Sequence, residues 1–487
     1  MKSPQRYLTL ASFIVIGSAQ SLLGATVTNT SDSGPGSLRN AIATAINGET
    51  INFNPALNGA TITLTSGHFL IDNLAVTIDA SSLPAGLTLS GNNLSRIFAV
   101  SGSSDISLQN LKIRNGNAIE NSGGGIFMAG VNLTMTDCTI SDCSATFNGG
   151  GMNLAIGATT TFERCTITGN STGNLGLGGG VFIGGASTTL FRSCVISGNS
   201  SPFGGGFSIN NSSPSFTNCT VQGNSGGGFR NASSSDPVLQ NCIVWGNTTT
   251  GTTAAQQLAN STGSNPAISY SLIQGASDST SFADGDAVSW GAGNFNGTLL
   301  ANDPKFASAL AAGSAPHSGG NLRLLTGSPV LDLGNNLAGI GSLDLARSAR
   351  TQNSTVDLGA YEGFVVTFAL LHPSLTPSAD SNHNGVTNFQ EYAMGFDPTA
   401  AGNSSNPAMS SSAGFKFITI NQRPNAVDFK PLLMTTTTLA AWTEMIEGTH
   451  YSVESTTPVS SSRTTSVLRL LGTDAKRFYR QGYVTVN

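Results

Sequence analysis

Two short motifs alternate along the middle of the chain at a drifting spacing, and this repetition constrains the fold more than any other feature. One motif is a glycine triplet followed by apolar residues: GGGIFM from Gly123, GGGMNL from Gly149, GGGVFI from Gly178, GGGFSI from Gly204 and GGGFRN from Gly226. The other is Cys, a β-branched pair and a turn: CTISDC from Cys138, CTITGN from Cys165, CVISGN from Cys194, CTVQGN from Cys219 and CIVWGN from Cys242. Successive cysteines lie 27, 29, 25 and 23 residues apart. Helical repeats keep a fixed length, whereas a coil of short strands tolerates variable corners. Each coil is too small to bury a face alone, so coils must stack, pairing strands in parallel and rising about 4.8 Å per coil.

Stacking puts equivalent residues above one another. Cys138, Cys165, Cys194, Cys219 and Cys242 are expected to form an inward ladder, with Ile140, Ile167, Ile196, Val221 and Val244 facing the same way. Asn170, Asn199, Asn224 and Asn247 are expected at a corner, where amides bond along the stack and tolerate left-handed backbone. Buried free thiols suit the register better than disulfides do; Cys143 replaces the corner Asn and is the one cysteine placed for a local bond, to Cys138. The cysteines show neither CxxC nor histidine spacing, which argues against a metal site.

Composition agrees. The chain has 487 residues with 59 Gly and only 10% charged residues, yet 39% are hydrophobic, too many for a disordered chain. The net charge of −5 and the absence of a Lys/Arg-rich run exclude a nucleic-acid partner. Alternating runs continue upstream from Thr61, Leu74, Leu87 and Ile106. Before them Leu38, Ala41, Ile42, Ala45 and Ile46 lie at helical spacing behind Ser37, an N-cap; such a helix would cover the open end of the stack. Downstream, NDPKF from Asn302, NLRLLTGSPVLDLGN from Asn321 and DLGAYE from Asp357 read as last coils and a closing cap. Asp332, Asp357 and Glu362 are the nearest thing to an acidic cluster there; turn and cap roles account for them, with weak ion binding as the alternative.

The opening VTNTSDSGPGSLRNAI, the GGGI and CTISGN-type repeats and the closing NDPKF, GSPVLDLG and DLGAYE resemble right-handed parallel β-helix proteins of the choice-of-anchor Q type. The repeats are also similar to those of chlamydial polymorphic outer-membrane proteins. The resemblance covers about residues 26–363 and implies an exported, cell-surface β-helix without an assigned catalytic residue. The stretch after Gly363 is short for an autotransporter barrel, so self-transport is not expected.

At the N-terminus, Lys2 and Arg6, an apolar core from Leu8 to Ile16 and the small residues Gly17, Ser18, Ala19, Gly24 and Ala25 read as a signal peptide, cleaved after Ala25 or, alternatively, Ala19. No other stretch approaches the ~18 apolar residues of a membrane helix. The expected location is therefore secreted or cell-surface.

Residues 380–391, DSNHNGVTNFQE, fit the D-x-[DN]-x-[DN]-G-x5-E pattern at every fixed position. Asp380, Asn382 and Asn384 would supply side-chain oxygens, Val386 a carbonyl, Asn388 the ninth position and Glu391 a bidentate carboxylate, with Gly385 at the sharp turn. Calcium is the expected cofactor, and two carboxylates imply modest affinity. Pro373 and Pro377 precede the loop in place of an entering helix, so it more closely resembles dockerin-like or thrombospondin-type calcium repeats. A polar linker turn is the alternative.

Alternating strands from Phe415, His450, Ser466 and Arg477 read as a small β-sandwich. The organisation is a signal peptide at 1–25, a parallel β-helix with caps at 26–363, a calcium-type loop and linker at 364–400, and a C-terminal β module at 401–487. Asp137, Glu163, Arg164 and Arg192 flank the cysteine ladder and read as solvated strand surface; Arg114 and Arg230 have no carboxylate pattern near them. Functionally this indicates an adhesin-like or structural binding protein without catalytic residues, partnered by a surface glycan or another surface protein. The alternative is a carbohydrate-active enzyme, a polysaccharide lyase or glycoside hydrolase, which would need convergent carboxylates.

Overall fold

The computed structural model describes residues 24–365, except 250, 262, 283–286 and 337–338. Beyond these it describes residues 371, 375, 378–379 and 381, the short helix Asn388–Ala393 and strands between 408 and 485. Residues 1–23, which hold most of the expected signal peptide, lie outside the described residues.

The repeats form a right-handed parallel β-helix of about nine turns. Each coil contributes to three sheets. The first has eleven strands, from Thr26–Val27 to Ser289–Trp290; the second nine, from Thr61–Thr63 to Leu272–Ile273; the third eight, from Phe69–Asp72 to Leu258–Asn260. One repeat shows the path: Thr188–Arg192 in the first sheet, Val195–Ser197 in the second, a corner, the glycine triplet, then Phe207–Asn210 in the third. Equivalent residues are in register throughout: Ile140, Ile167, Ile196, Val221 and Val244 pair successively in the second sheet.

The core follows the strand alternation. All six cysteines are free and buried, so the expected thiol ladder forms and the Cys138–Cys143 bond does not. Burial pushes the Cys138, Cys165, Cys194 and Cys219 thiols well above their ordinary range and Cys143 to about 12. Inward phenylalanines of the first and third sheets fill the centre. Phe162, Phe191 and Phe216 stack at 4.5 and 5.0 Å, and Phe207 meets Phe191 and Phe216 edge-on at 5.2 and 4.9 Å.

The asparagine ladder forms, with one correction. Asn170, Asn199 and Asn224 each donate Nδ2 to the next Oδ1 at 2.9, 2.9 and 2.7 Å, and Asn247 donates to Gln257 at 2.8 Å. The left-handed residue of this corner is the preceding glycine, for example Gly198 or Gly223; the Asn side chains are therefore free to point inward, where they are fully buried. The third glycine of each triplet gives them room: a Cβ on Gly180 would lie 3.1 Å from Asn199.

The N-terminal helix runs Leu38–Thr44, capped by Ser37, and buries Leu38, Ala41 and Ile42. It is shorter than its apolar spacing predicts, and Ile46 is exposed. No helix among the described residues is long and apolar enough to cross a membrane.

The segment after the coils does not continue the stack as expected. Phe306–Ser308, Asn321–Leu325 and Phe364–Val365 make a small separate sheet, and the chain between them folds back along the outside of the second sheet. Gln222 exchanges two hydrogen bonds with the Leu310 backbone at 2.7 and 3.0 Å, and Asn241 does the same with Asn335, both at 2.9 Å. The reason is apolar: Val195, Ile243 and Leu272 point outward and are buried under Phe306, Leu322, Leu324, Val330 and Leu358. The segment is thus a lateral flap.

At the C-terminus the strands form two antiparallel sheets, one of four strands including Phe415–Gln422 and Arg463–Leu470, the other of three including Phe429–Thr436 and Phe478–Thr485.

Candidate functional site

The ionisable groups beside the cysteine ladder are where a catalytic cluster would have to arise. The position before each ladder cysteine is a one-residue corner between the first and second sheets, in left-handed conformation at Asp137, Arg164, Ser193, Asn218 and Asn241. It is not strand surface as the sequence suggests; only Glu163 and Arg192 are strand residues. Arg164 grips Asp137 through two hydrogen bonds of 2.8 and 3.1 Å and reaches Glu163 at 2.6 Å. Arg347 of the flap adds a contact to Asp137 at 3.1 Å, and Arg192 donates to the flap carbonyl of Gly339 at 2.5 Å. Each carboxylate is thus neutralised by arginine, and the network fastens the flap. Arg114, expected to stand alone, pairs with Asp142 of the next coil at 3.0 Å.

The rest of the outer face of the first sheet is mostly small polar groups, interrupted by the apolar Leu190, Val238 and Ala267 and by the charged Asp79, Glu163 and Arg192. Ser107, Thr134, Thr161, Leu190, Ser215, Val238 and Ala267 form one column, and Gln109, Thr136, Glu163, Arg192, Thr217, Gln240 and Ser269 the next.

Asp332, Asp357 and Glu362 do converge: their carboxylate oxygens lie within 4.8 Å of one another. The Asp357 oxygens accept from the Asp332 and Gly363 backbone N–H groups, each at 2.6 Å, and Glu362 Oε2 accepts from Asp357 N at 3.1 Å. Both Asp332 oxygens face Asn353 Nδ2 at 2.9 Å. Fully buried Arg350 lies behind, its Nε 3.7 Å from Glu362, its Nη2 donating to the Asp357 and Gly359 carbonyls at 3.0 and 2.7 Å. Burial and the neighbouring Asp357 raise the Glu362 carboxyl to about 7, and burial raises Asp357 too. Glu362 lines a cavity of about 210 Å³ with Arg323, Asp344, Gln352 and Tyr361. Most bonds to these carboxylates come from turn backbone, which is the cap role read from the sequence; the buried arginine makes the site a poor cation cage.

The third sheet has a different outer face. In register along it stand Phe127, Asn153, Phe182, Ser208, Arg230 and Ala259. Beside Arg230 is a cavity of about 190 Å³, lined also by Phe203, Asn231, Asn260 and Ser261. Sequence reasoning missed this face. Its signal was the second residue after each glycine triplet: Phe127, Asn153, Phe182, Ser208 and Arg230.

Of the calcium-type residues, Asp380, Asn382, Asn384 and Val386 lie outside the described residues. Asn388 and Glu391 belong to the helix Asn388–Ala393 and are buried. The Asn388 amide accepts from Ser381 N at 2.9 Å and donates to Ser381 Oγ at 2.8 Å, while its N–H donates to Ala379 O at 2.7 Å. The two ends of the segment therefore meet.

The family described as the right handed beta helix region matches residues 74–228 and 174–315. No curated protein matches the chain. Among solved structures it is similar to the pectate lyase Pel9A, at 14% identity and TM-score 0.41 over 70% of this chain and 96% of that one. It is also similar to the enzymatically active domain of tailspike protein 4 of bacteriophage CBA120, at 13% identity and TM-score 0.29 over 93% and 67%. Family match, strand register and coil topology agree: the chain is a right-handed parallel β-helix repeat protein.

Proposed function

We propose that this chain is an exported, cell-surface β-helix that binds a surface glycan without cleaving it, held by a calcium-stiffened joint to its C-terminal module. One observation carries the binding reading. The long outer face of the first sheet carries mostly Ser, Thr and Gln, broken by Leu190, Val238 and Ala267, and the carboxylates beside the cysteine ladder, Asp137 and Glu163, are each engaged by arginine. Carboxylates held this way lack the freedom that acid and base roles need. Support for calcium is the oxygen-rich pattern Asp380, Asn382, Asn384, Val386, Asn388 and Glu391 together with the closure of the loop ends on Asn388. A glycan array probed with the purified chain tests the reading: retention of a defined class of glycans is expected, and a blank array would overturn it.

A second reading, a carbohydrate-active enzyme, is favoured by Glu362, whose raised carboxyl faces a cavity beside two other carboxylates as a general acid would. Turnover of a glycan that disappears in Glu362→Gln would establish it.

A further inference from the structure

The loops that join the second sheet to the third share a feature that the fold does not need. In five successive coils this loop holds one large apolar side chain in solvent: Leu94, Ile119, Phe147, Leu175 and Phe203, from 43% exposed at Phe147 to 82% at Leu175. The loops are tied to one another through the backbone. Asn117 N donates to Ser95 O at 2.9 Å, Phe147 N to Asn121 O at 3.0 Å, Gly173 N to Ala145 O at 2.9 Å and Ser200 N to Asn170 O at 2.8 Å. These bonds hold the five side chains as a ridge about 19 Å long by strand spacing. The ridge has two ends. The loop of the coil before it, Thr65 to His68, and that of the coil after it, Ser225 to Gly227, carry no large apolar residue.

Single exposed apolar residues are ordinary, but a contiguous row of them marks an interaction surface. The flap leaves this row open. Two observations decide what covers it. The first is area. Five such side chains offer roughly 500 Å², short of the about 800 Å² per partner that a stable protein interface buries. They stand on loops, in a line one side chain wide. An apolar row flanked by polar and basic groups is the pattern of elements that dip into the headgroup layer of a bilayer. The second is charge. Between Leu94 and Arg230, the second and third sheets and the loops joining them carry Arg96, Lys112, Arg114 and Arg230 against only Glu120 and Asp142, although the whole chain has a net charge of −5. Arg230 lies 5.9 Å from the ring centroid of Phe203, which sets a cation at one end of the ridge. A locally basic surface around apolar tips complements anionic headgroups.

We infer that this ridge docks the solenoid side-on against an anionic lipid surface, with Leu94, Ile119, Phe147, Leu175 and Phe203 in the headgroup layer and Arg96 and Arg230 beside the phosphates. The solenoid axis then lies along the membrane. This goes beyond the glycan-binding reading and does not rest on it.

The test mixes the full chain with vesicles of phosphatidylcholine, with and without phosphatidylglycerol, and measures sedimentation with the vesicles. Circular dichroism confirms that each variant is folded. Wild type should sediment with the anionic vesicles and more weakly with the neutral ones. The double variant Leu175→Ser, Phe203→Ser should bind about 100-fold more weakly, a power of ten for each side chain withdrawn from lipid. Ile156→Ser changes a residue that is 71% exposed at the corner between the third and first sheets, and it should bind as wild type does. Phe147→Trp should gain fluorescence that brominated lipid quenches, and Ile156→Trp should not, which separates ridge contact from entry of the N-terminal apolar segment. Wild type that stays off both vesicles, a double variant that binds as tightly, or a Phe147→Trp variant that escapes quenching would each overturn the inference. So would self-association without lipid binding, if the double variant abolishes it in analytical ultracentrifugation; the ridge would then cover a second copy. The vesicles carry no glycan, so these outcomes leave the glycan reading untouched.

Discussion

At the scale of single residues, what holds the solenoid together is repetition of a few buried polar contacts. Asn224 illustrates it: its Oδ1 accepts from the Asn199 backbone and side chain, and its Nδ2 donates to Ile196 O and Asn247 Oδ1. Removing the amide orphans donors above and acceptors below. Asn224→Ala should therefore cost about 2–3 kcal/mol, read as a lower denaturation midpoint, whereas exposed Thr134→Ala should cost almost nothing. A second residue-scale consequence concerns pH. Glu362 is raised to about 7 in the fold, so the native state holds a proton that the unfolded chain releases near its ordinary value. Stability is fully present below the unfolded value and is lost as pH rises through the folded one. Denaturant midpoints should thus fall between about pH 4.5 and pH 7, and Glu362→Gln should flatten this part of the profile. An unchanged profile in that variant would show that Glu362 is not the group responsible.

At the scale of elements, the helix coils and the flap were unequally legible. Coils announce themselves because equivalent residues recur, so the cysteine and asparagine ladders and the register of the second sheet follow from spacing alone. The corner geometry does not: that Gly198 and not Asn199 takes the left-handed conformation depends on the inward pull of the amide ladder. The flap was misread as further coils because its sequence has the same Gly-rich, short-strand character. The informative residues lay elsewhere, in the second sheet, where Val195 and Ile243 replace the outward Thr139 and Thr166 and so demand a cover. Ile243→Asp puts a charge under that cover. It should release the flap, making residues 306–363 sensitive to limited proteolysis while the coils stay resistant; a flap that remains protected would mean that the polar latches at Gln222 and Asn241 suffice. The proposed calcium loop is visible as a sequence pattern, since the positions that would supply its ligands are local in sequence. Saturating calcium at roughly 100 times its dissociation constant should stabilise the loop by about 2.7 kcal/mol, and Glu391→Gln should remove the effect. A melting curve indifferent to both calcium and chelator would count against the site.

At the scale of the whole molecule, the three sheets divide the labour. The second is covered by the flap, the first presents a mostly polar face broken by Leu190, Val238 and Ala267, and the third carries Phe127, Phe182 and Arg230, the last over the Phe203 ring. The function of such a rod is less legible than its fold, because neighbours in space are 23 to 29 residues apart in sequence. Arg114 and Asp142 look unrelated in the sequence but touch in the structure, and Asp332, Asp357 and Glu362 meet only once the flap has folded. The central claim is that this assembly holds a polysaccharide and leaves it intact. The most direct measurement incubates the purified chain with a uronic-acid polymer in the presence of calcium and follows, in one sample, polymer retained by the protein and new chain ends released. Retention with no rise in chain ends is the expected result; chain ends accumulating in proportion to protein and time would contradict the account.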